Sequence, residues 1–147
     1  MKLFFVLILS TLLLSCNRVE DQIFILPKNY TGYILVIYNQ PLLGEEIKYK
    51  RGKRVYEIPA NGILKTQFTS QIGLFNSEFY YGKVASENRI PYRFANEDKP
   101  IDSIIVCGGS RGTQGKVVYD LYDVGTREQR KQANKLAEML GIESLTE

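Results

Sequence analysis

Two largely apolar runs of strand length constrain this chain more than any other feature. Residues 33–38 read Tyr-Ile-Leu-Val-Ile-Tyr, and residues 103–107 read Ser-Ile-Ile-Val-Cys. Short runs without polar alternation are typical of central strands that are covered on both faces. Ten tyrosines, seven phenylalanines and many valines and isoleucines also favour strands. The sequence therefore predicts a mainly β domain.

The amino terminus has the order of a secretory signal. Lys2 precedes an almost wholly apolar run at 3–14, and the small Ser15 comes directly before Cys16. A helix that spans a membrane needs about 20 apolar residues, so this run is too short to be an anchor helix. We predict that residues 1–15 are a signal peptide that is removed.

The segment Leu13-Leu14-Ser15-Cys16 resembles the lipobox of bacterial lipoproteins. The resemblance implies diacylglycerol on the sulfur of Cys16, cleavage before Cys16, and acylation of the new amino group with palmitate. The protein would then lie in the bacterial cell envelope, held to a membrane by lipid. Asn17 follows where the enteric sorting rule uses aspartate for the inner membrane, which favours the outer membrane. An ordinary signal peptide with an incidental cysteine is the alternative.

Removal of residues 1–15 leaves 132 residues, which is one ordinary domain. The mature chain would carry 18 lysines and arginines against 16 aspartates and glutamates, a net charge of +2. A nucleic-acid-binding domain carries a much larger basic excess. We therefore expect no nucleic-acid partner.

The composition removes several kinds of catalytic site. The chain has no histidine, which excludes Ser-His and Cys-His catalytic pairs and the commonest metal ligand. With Cys16 lipidated, Cys107 has no partner for an intramolecular disulfide, and we expect it to be a small core residue. We predict no catalytic residue, no metal ligand and no cofactor.

Turn residues divide the mature chain into strand candidates. Asn61-Gly62 predicts a hairpin between strands at 55–58 and 63–68, and the glycine-rich run 108–115 predicts a hairpin loop. Other strand candidates lie at 23–26, 33–38, 79–84, 90–94, 103–107 and 116–124. This pattern predicts an antiparallel β-sandwich of about seven or eight strands.

A helix is predicted at the carboxyl end. Thr126 followed by Gln129 forms a capping-box pattern, and Gly141 provides a stop. An apolar stripe is expected from Ala133, Leu136, Ala137 and Leu140. The predicted organisation is a signal peptide (1–15), a lipidated cysteine with a tether (16–22), a sandwich (23–125) and a C-terminal helix packed on it (126–147).

Two stretches between residues 22 and 70 resemble a domain of unknown function in small bacterial lipoproteins. The first is Leu-Pro-Lys-Asn-Tyr-Thr-Gly at 26–32, and the second is Arg-Val-Tyr-Glu-Ile-Pro-Ala-Asn-Gly-Ile-Leu-Lys-Thr at 54–66. The resemblance implies a secreted, membrane-tethered, largely β domain. It carries over no functional residue, and its turn and strand residues are typical of fold specification.

Two groups of side chains are candidates for a binding surface. The first is a basic cluster around Gly52, which either solvates a hairpin tip or contacts lipid phosphates or another anionic partner. The second is a set of tyrosines that could form an amphipathic contact surface, although tyrosines in strands are more often half-buried. The candidate residues are Lys48, Lys50, Arg51, Lys53, Arg54, Tyr80, Tyr81 and Tyr92.

Three functions follow from these observations. The first is a membrane-anchored binding or interaction module that contacts an envelope protein or polymer. The second is a hydrolase that uses carboxylates or an oxygen-bound metal, with Glu45-Glu46 and Glu97-Asp98 as adjacent acids. The third is an immunity or inhibitor lipoprotein that neutralises a toxin. The missing histidine favours the binding module over the enzyme.

Overall fold

The computed structural model describes residues 19–94 and 102–146. The predicted signal peptide and Cys16 lie outside the described residues, as does the loop that contains Glu97 and Asp98. The described strands form two five-stranded sheets.

Sheet I contains the first strand of the domain at its centre. Its strand order is β3-β4-β1-β6-β7, with two outer hairpins flanking β1. The strand bounds are Gln22–Leu26 for β1, Lys48–Lys50 for β3, Lys53–Glu57 for β4, Ser77–Tyr81 for β6 and Arg89–Ile90 for β7.

Sheet II has the predicted apolar run 33–38 near its centre. Its strand order is β5-β2-β10-β9-β8, and the long β9-β10 hairpin forms much of it. The strand bounds are Gly32–Ile37 for β2, Ile63–Lys65 for β5, Tyr92–Phe94 for β8, Ile105–Gln114 for β9 and Val117–Gly125 for β10.

The core lies between the two sheets and is rich in aromatic rings. Phe24 of β1 stacks between Tyr56 and Phe79, at centroid distances of 4.9 and 4.5 Å, and Tyr122 of β10 meets it from sheet II at 5.2 Å. All four rings are buried. The predicted mainly β, sandwich-like fold with a helix is therefore confirmed.

Both sheets are mixed, because the chain crosses repeatedly between them. The pairs β1–β4, β1–β6, β2–β5 and β8–β9 are parallel, and the hairpins and β2–β10 are antiparallel. The structure therefore corrects the all-antiparallel arrangement, and its described residues form ten strands in place of seven or eight. Local hairpins alone give antiparallel neighbours, whereas a strand that returns after a crossover can align in parallel.

The Asn61-Gly62 turn joins the two sheets, so the hairpin predicted there is wrong. The strand before it, β4, belongs to sheet I, and the strand after it, β5, belongs to sheet II. Gly62 has φ +76°, and a Cβ at this position would lie 2.1 Å from the Tyr30 hydroxyl. A turn is present at Asn61-Gly62, but the direction in which the chain leaves a turn depends on packing that is not local.

The glycine-rich run is part of strand β9, so the predicted loop is wrong. The β9-β10 hairpin turns only at Gly115 and Lys116. The glycines make room for rings: a Cβ at Gly109 would lie 2.9 Å from the Tyr92 hydroxyl, and one at Gly112 would lie 2.2 Å from the Tyr119 ring.

The outer face of sheet II is covered by α1 (Arg127–Glu138), with a short 3-10 helix (Ile142–Leu145) after it. The capping box of Thr126 and Gln129 is confirmed. Ala133 and Ala137 are the buried residues of α1, whereas Leu136 is 57% exposed, so the apolar stripe is narrower than predicted.

The chain joins the fold earlier than the predicted tether (16–22) implies. Gln22 is the first residue of β1 and is fully buried. Asp21 accepts a hydrogen bond from the Arg54 backbone N–H at 2.9 Å. Residues 20–22 therefore belong to the domain.

Candidate binding surface

The outer face of sheet I differs from that of sheet II in having no α-helix among the described residues packed on it. Alternation along β1, β4 and β6 directs Phe24, Tyr56 and Phe79 into the core. The same alternation directs the neighbours of these residues outward. The outer face of sheet I therefore combines apolar side chains of β1 with charged side chains of β4 and β6.

A shallow cavity of about 300 Å³ lies on this face. Its floor comes from the central strand and its rim from the β3-β4 hairpin and from β6. We call it the sheet I cavity, and its lining residues are Ile23, Lys50, Arg51, Lys53, Glu78, Tyr80 and Val84. Four of these seven are residues that the sequence predicted for a binding surface, from two segments about thirty residues apart.

One side of the cavity is an internally paired group. Lys53 Nζ lies 2.9 Å from Glu78 Oε1, and the Tyr80 hydroxyl donates to Glu78 Oε2 at 3.0 Å. The hydrogen bond from Lys53 lowers the pKa of Glu78. Burial, followed by the bond to Glu78, raises the pKa of Tyr80. Glu78 is therefore held ionised and Tyr80 neutral near pH 7.

The other side of the cavity carries two exposed cations. Lys50 and Arg51 make no ion pair with any residue in the described part of the chain. Arg51 and Gly52 form the β3-β4 turn with φ values of +51° and +73°. The turn holds both cations at the rim, where they can meet an anionic group.

Two further members of the basic cluster are bound within the domain. Lys48 pairs with Glu57 at 2.8 Å on the exposed surface. Arg54 is 9% exposed, donates to Glu20 Oε2 at 2.7 Å and to the Thr69 carbonyl at 2.6 Å, and lies over the Phe68 ring. Arg54 is therefore a structural residue, which corrects its assignment to the surface, because β4 alternation turns it inward.

Tyr81 and Tyr92 also face the core, so the structure corrects the predicted tyrosine surface. The Tyr81 hydroxyl donates to the Tyr30 carbonyl at 2.9 Å, and the Tyr92 hydroxyl donates to the Gly108 carbonyl at 3.1 Å. Both rings pack against the buried cluster. Tyr80 alone faces outward, and at 7% exposure it forms a wall of the cavity.

Ile23, Glu78 and Val84 were missed by sequence reasoning. Ile23 lies in register with Val55 of β4 and Glu78 of β6, so these residues meet only through strand pairing. The signal available in the sequence was the alternation of β1, which puts Ile23 on the face opposite to Phe24.

An ion pair with a buried carboxylate lies near the end of the sandwich where β10 begins. Asp120 is 2% exposed and accepts two bonds from Arg111, at 2.9 and 3.0 Å, and one from the Tyr38 hydroxyl at 2.8 Å. Burial raises the pKa of Tyr38 well above its usual range. These hydrogen bonds link the end of β2 with β9 and β10 of sheet II.

The two stretches that resemble the lipoprotein domain, residues 26–32 and 54–66, meet at the opposite end of the sandwich. The Tyr30 hydroxyl donates to the Tyr33 carbonyl and lies over Gly62, and burial raises the pKa of Tyr30 to about 12. The Leu35 N–H donates to the Gly62 carbonyl at 2.8 Å. The contacts of these two stretches are internal to the domain, and they fix the place where the chain crosses between the sheets.

Other candidate groups do not assemble into a site within the described residues. Glu45 and Glu46 are exposed on the segment before β3. Among residues 19–94 and 102–146, no three or more His, Cys, Asp or Glu side chains are grouped so that they could hold a metal ion. Cys107 is half-buried on β9 beside the buried Val106, and so is less enclosed than predicted.

Nor does any helix in the described part of the chain have the length and apolar character needed to cross a membrane.

Comparisons with known proteins give a family and one structural likeness. The chain is similar to a Bacillus anthracis protein whose crystal structure names it a "Putative Lipoprotein", with 20% sequence identity, a TM-score of 0.49, and coverage of 74% of this chain and 71% of that one. A comparison with curated proteins found no match. A model of a family of unknown function, DUF6843, matches residues 18–135, which include both sheets and most of α1. The chain therefore belongs to the DUF6843 family.

Proposed function

We propose that this protein is a lipid-anchored protein of the bacterial cell envelope that binds a negatively charged ligand in the sheet I cavity. The observation that carries the proposal is the pair of exposed cations, Lys50 and Arg51, at the rim of a cavity with an apolar floor. Exposed cations are common, but here they border a concave site with a tyrosine hydroxyl inside it.

The chemistry of the lining indicates the kind of ligand. Lys50 and Arg51 favour an anionic group, and Arg51 can bind a phosphate or carboxylate with two hydrogen bonds. Ile23, Val84 and the Tyr80 ring favour an apolar or sugar-like portion next to that group. A cavity of about 300 Å³ fits a small molecule or the end of a polymer. A phosphorylated or acidic envelope component has these properties.

The anchoring part of the proposal is supported by the lipobox-like segment and by where the domain begins. Cys16 precedes Val19 by three residues, and the chain is already hydrogen-bonded to the domain at Glu20. The domain would therefore sit at the membrane surface, and Asn17 favours the outer membrane. The hydrolase and the immunity protein stay as predictions from the sequence.

A ligand titration followed by NMR tests the binding site. The purified protein is titrated with inorganic phosphate, a sugar phosphate and an acidic polysaccharide, while backbone amide shifts are recorded. We expect the largest shifts at residues 50–53 and 78–80. The double substitution Lys50→Ala with Arg51→Ala should weaken binding at least about tenfold, because two charge-assisted bonds of roughly 1 kcal/mol each are lost.

Lys131→Ala with Lys135→Ala is the matched control, since it also removes two exposed cations, but from α1. This control should bind as the wild type does. Equal weakening by both double substitutions would mean that net charge alone attracts the ligand. Shifts that cluster outside the sheet I cavity would contradict the proposed site.

A further inference from the structure

The loop between β5 and β6 presents two exposed apolar side chains. Ile72 is 88% exposed and Leu74 is fully exposed, on either side of Gly73. Exposed apolar residues that are scattered singly need no explanation. The position of these two relative to the amino terminus is what distinguishes them.

The loop is bound to the residues through which the chain enters the domain. Glu20 N–H donates to the Gln71 side chain at 3.0 Å, and Gln71 Nε2 donates back to the Glu20 carbonyl at 2.5 Å. The Asn76 N–H donates to Asp21 Oδ1 at 2.9 Å. A Cβ at Gly73 would lie 2.7 Å from Val19 Cγ2, so the loop tip touches Val19.

Covalent geometry then limits how far the loop can be from the predicted lipid. Cys16 and Val19 are three residues apart, and three residues extend over at most about 11 Å. Because Val19 touches Gly73, a lipid on Cys16 would be within a short reach of Ile72 and Leu74.

The parallel strands of sheet I bring cations to the same end. Gln22 at the start of β1 pairs in register with Arg54 of β4 and with Ser77 at the start of β6. The β3-β4 turn, which carries Arg51, precedes β4 and therefore lies at this end as well. Two apolar side chains, basic residues and the entry of the chain thus share one end of sheet I.

The loop is held in shape by two arginines. Arg54 donates to the Thr69 carbonyl and Arg111 donates to the Gln71 carbonyl, each at 2.6 Å. Each guanidinium is fixed in turn by a carboxylate, Glu20 for Arg54 and Asp120 for Arg111. The apolar tip is therefore prearranged, and little conformational entropy would be lost when it meets a surface.

From these contacts we propose that Ile72 and Leu74 dock into the headgroup region of an anionic lipid bilayer and fix the orientation of the domain on the membrane. The inference rests on the anchoring part of the proposed function. The lipid on Cys16 would hold the protein at the bilayer through one point of attachment, which leaves the domain free to tilt. The apolar tip adds a second contact, and the exposed cations Lys50 and Arg51 favour anionic headgroups.

The sequence allows a direct test, because it contains no tryptophan. The lipidated full-length variants Leu74→Trp and Lys28→Trp each carry one fluorescent reporter, at the loop tip and in the turn after β1. They are reconstituted in phosphatidylethanolamine–phosphatidylglycerol vesicles with brominated acyl chains. We expect Leu74→Trp to lose most of its fluorescence and to be blue-shifted, and Lys28→Trp to behave as in water.

Ile72→Trp is a second reporter of the same tip and should give the same result as Leu74→Trp. Mass spectrometry of the amino terminus and partition of Cys16→Ser are measured in parallel. Suppose that Cys16→Ser no longer partitions into membranes, and that all three tryptophan reporters are equally weakly quenched in the lipidated protein. This result would overturn the docking inference and leave the anchoring proposal intact. If mass spectrometry finds no lipid on the wild-type protein, the anchoring proposal is overturned, and the docking inference with it.

Discussion

The outer faces of the two sheets differ in what covers them. On sheet II, α1 and the following turn cover Leu35 and Ile37, which are fully buried. On sheet I, Ile25 at the centre of β1 is only partly buried, and it lies in register with Glu57 of β4 and Tyr80 of β6. One face is part of the core of the protein, and the other is a surface that a partner can reach.

The difference teaches where function can reside in this domain. A covered face contributes stability, and substitutions there are costly. A charged, partly apolar face contributes little stability, and its side chains are free to serve recognition. The sheet I cavity lies on the second kind of face. The predictions below test whether this division is real.

The largest expected effect on stability comes from truncating an isoleucine on the outer face of each sheet. Ile37→Ala empties a fully enclosed site and should lower the free energy of unfolding by about 3 kcal/mol. Ile25→Ala removes a partly exposed side chain and should cost about 1 kcal/mol. Urea unfolding of both variants measures the difference. Equal costs would mean that both faces are equally enclosed.

The covered face also contains a carboxyl group whose protonation should affect stability. Burial raises the pKa of Asp123 from 3.8 to about 6, and the nearby Arg130 opposes this rise. A raised pKa favours the neutral form in the folded state, so its stabilising contribution is present below pH 4 and is lost as the pH rises through 6.

Asp123→Asn removes this penalty. After allowance for partial exposure, the variant should gain about 1 kcal/mol at pH 8 and nothing at pH 4. Thermal unfolding measured from pH 4 to pH 8 checks the profile. A wild-type profile that stays parallel to that of Asp123→Asn would show that the carboxyl is well solvated.

On the outer face of sheet I, a carboxyl group should make the stability change with pH in the opposite direction. The hydrogen bond from Lys53 lowers the pKa of Glu78, so its contribution is present above the usual pKa of a glutamate and is lost as the pH falls. Glu78→Gln should therefore cost about 0.5 kcal/mol at pH 7 and nothing below the lowered pKa. The same pH series measures it, and a gain in stability at pH 7 would contradict the assignment.

The smallest effect on stability is expected from the two rim cations. Lys50→Ala with Arg51→Ala should change the free energy of unfolding by less than about 0.5 kcal/mol, since neither residue has an ion-pair partner among the described residues. Urea unfolding measures this change. A loss above about 2 kcal/mol would assign both residues to the fold and not to ligand binding.

The sequence predicted what local patterns determine. The buried strand at 33–38 and the capping box at Thr126 both follow from periodicity and side-chain chemistry within a few residues. The two connections that it misread, at Asn61-Gly62 and at residues 108–115, depend on what packs against the turn or the strand. Glycine permits either outcome, and in the fold these glycines lie against the side chains of Tyr30, Tyr92 and Tyr119.

Part of the candidate site could be predicted for the same reason. Lys50, Arg51 and Lys53 are neighbours in the chain, and the charge run is visible without a structure. The meeting of Lys53 with Glu78 and Tyr80 depends on β1 lying between β4 and β6 in parallel register. No local pattern encodes that order, so Ile23 and Glu78 could be found only in the fold.

The central claim is that the outer face of sheet I meets a partner and the helix-covered face does not. Site-specific photo-cross-linking in the native host tests it most directly. A photoreactive residue is placed at Arg51 in one variant and at Lys131 of α1 in the other, both of which are exposed. The account predicts reproducible cross-links from position 51 and none from position 131. Cross-links from position 131 alone would contradict it.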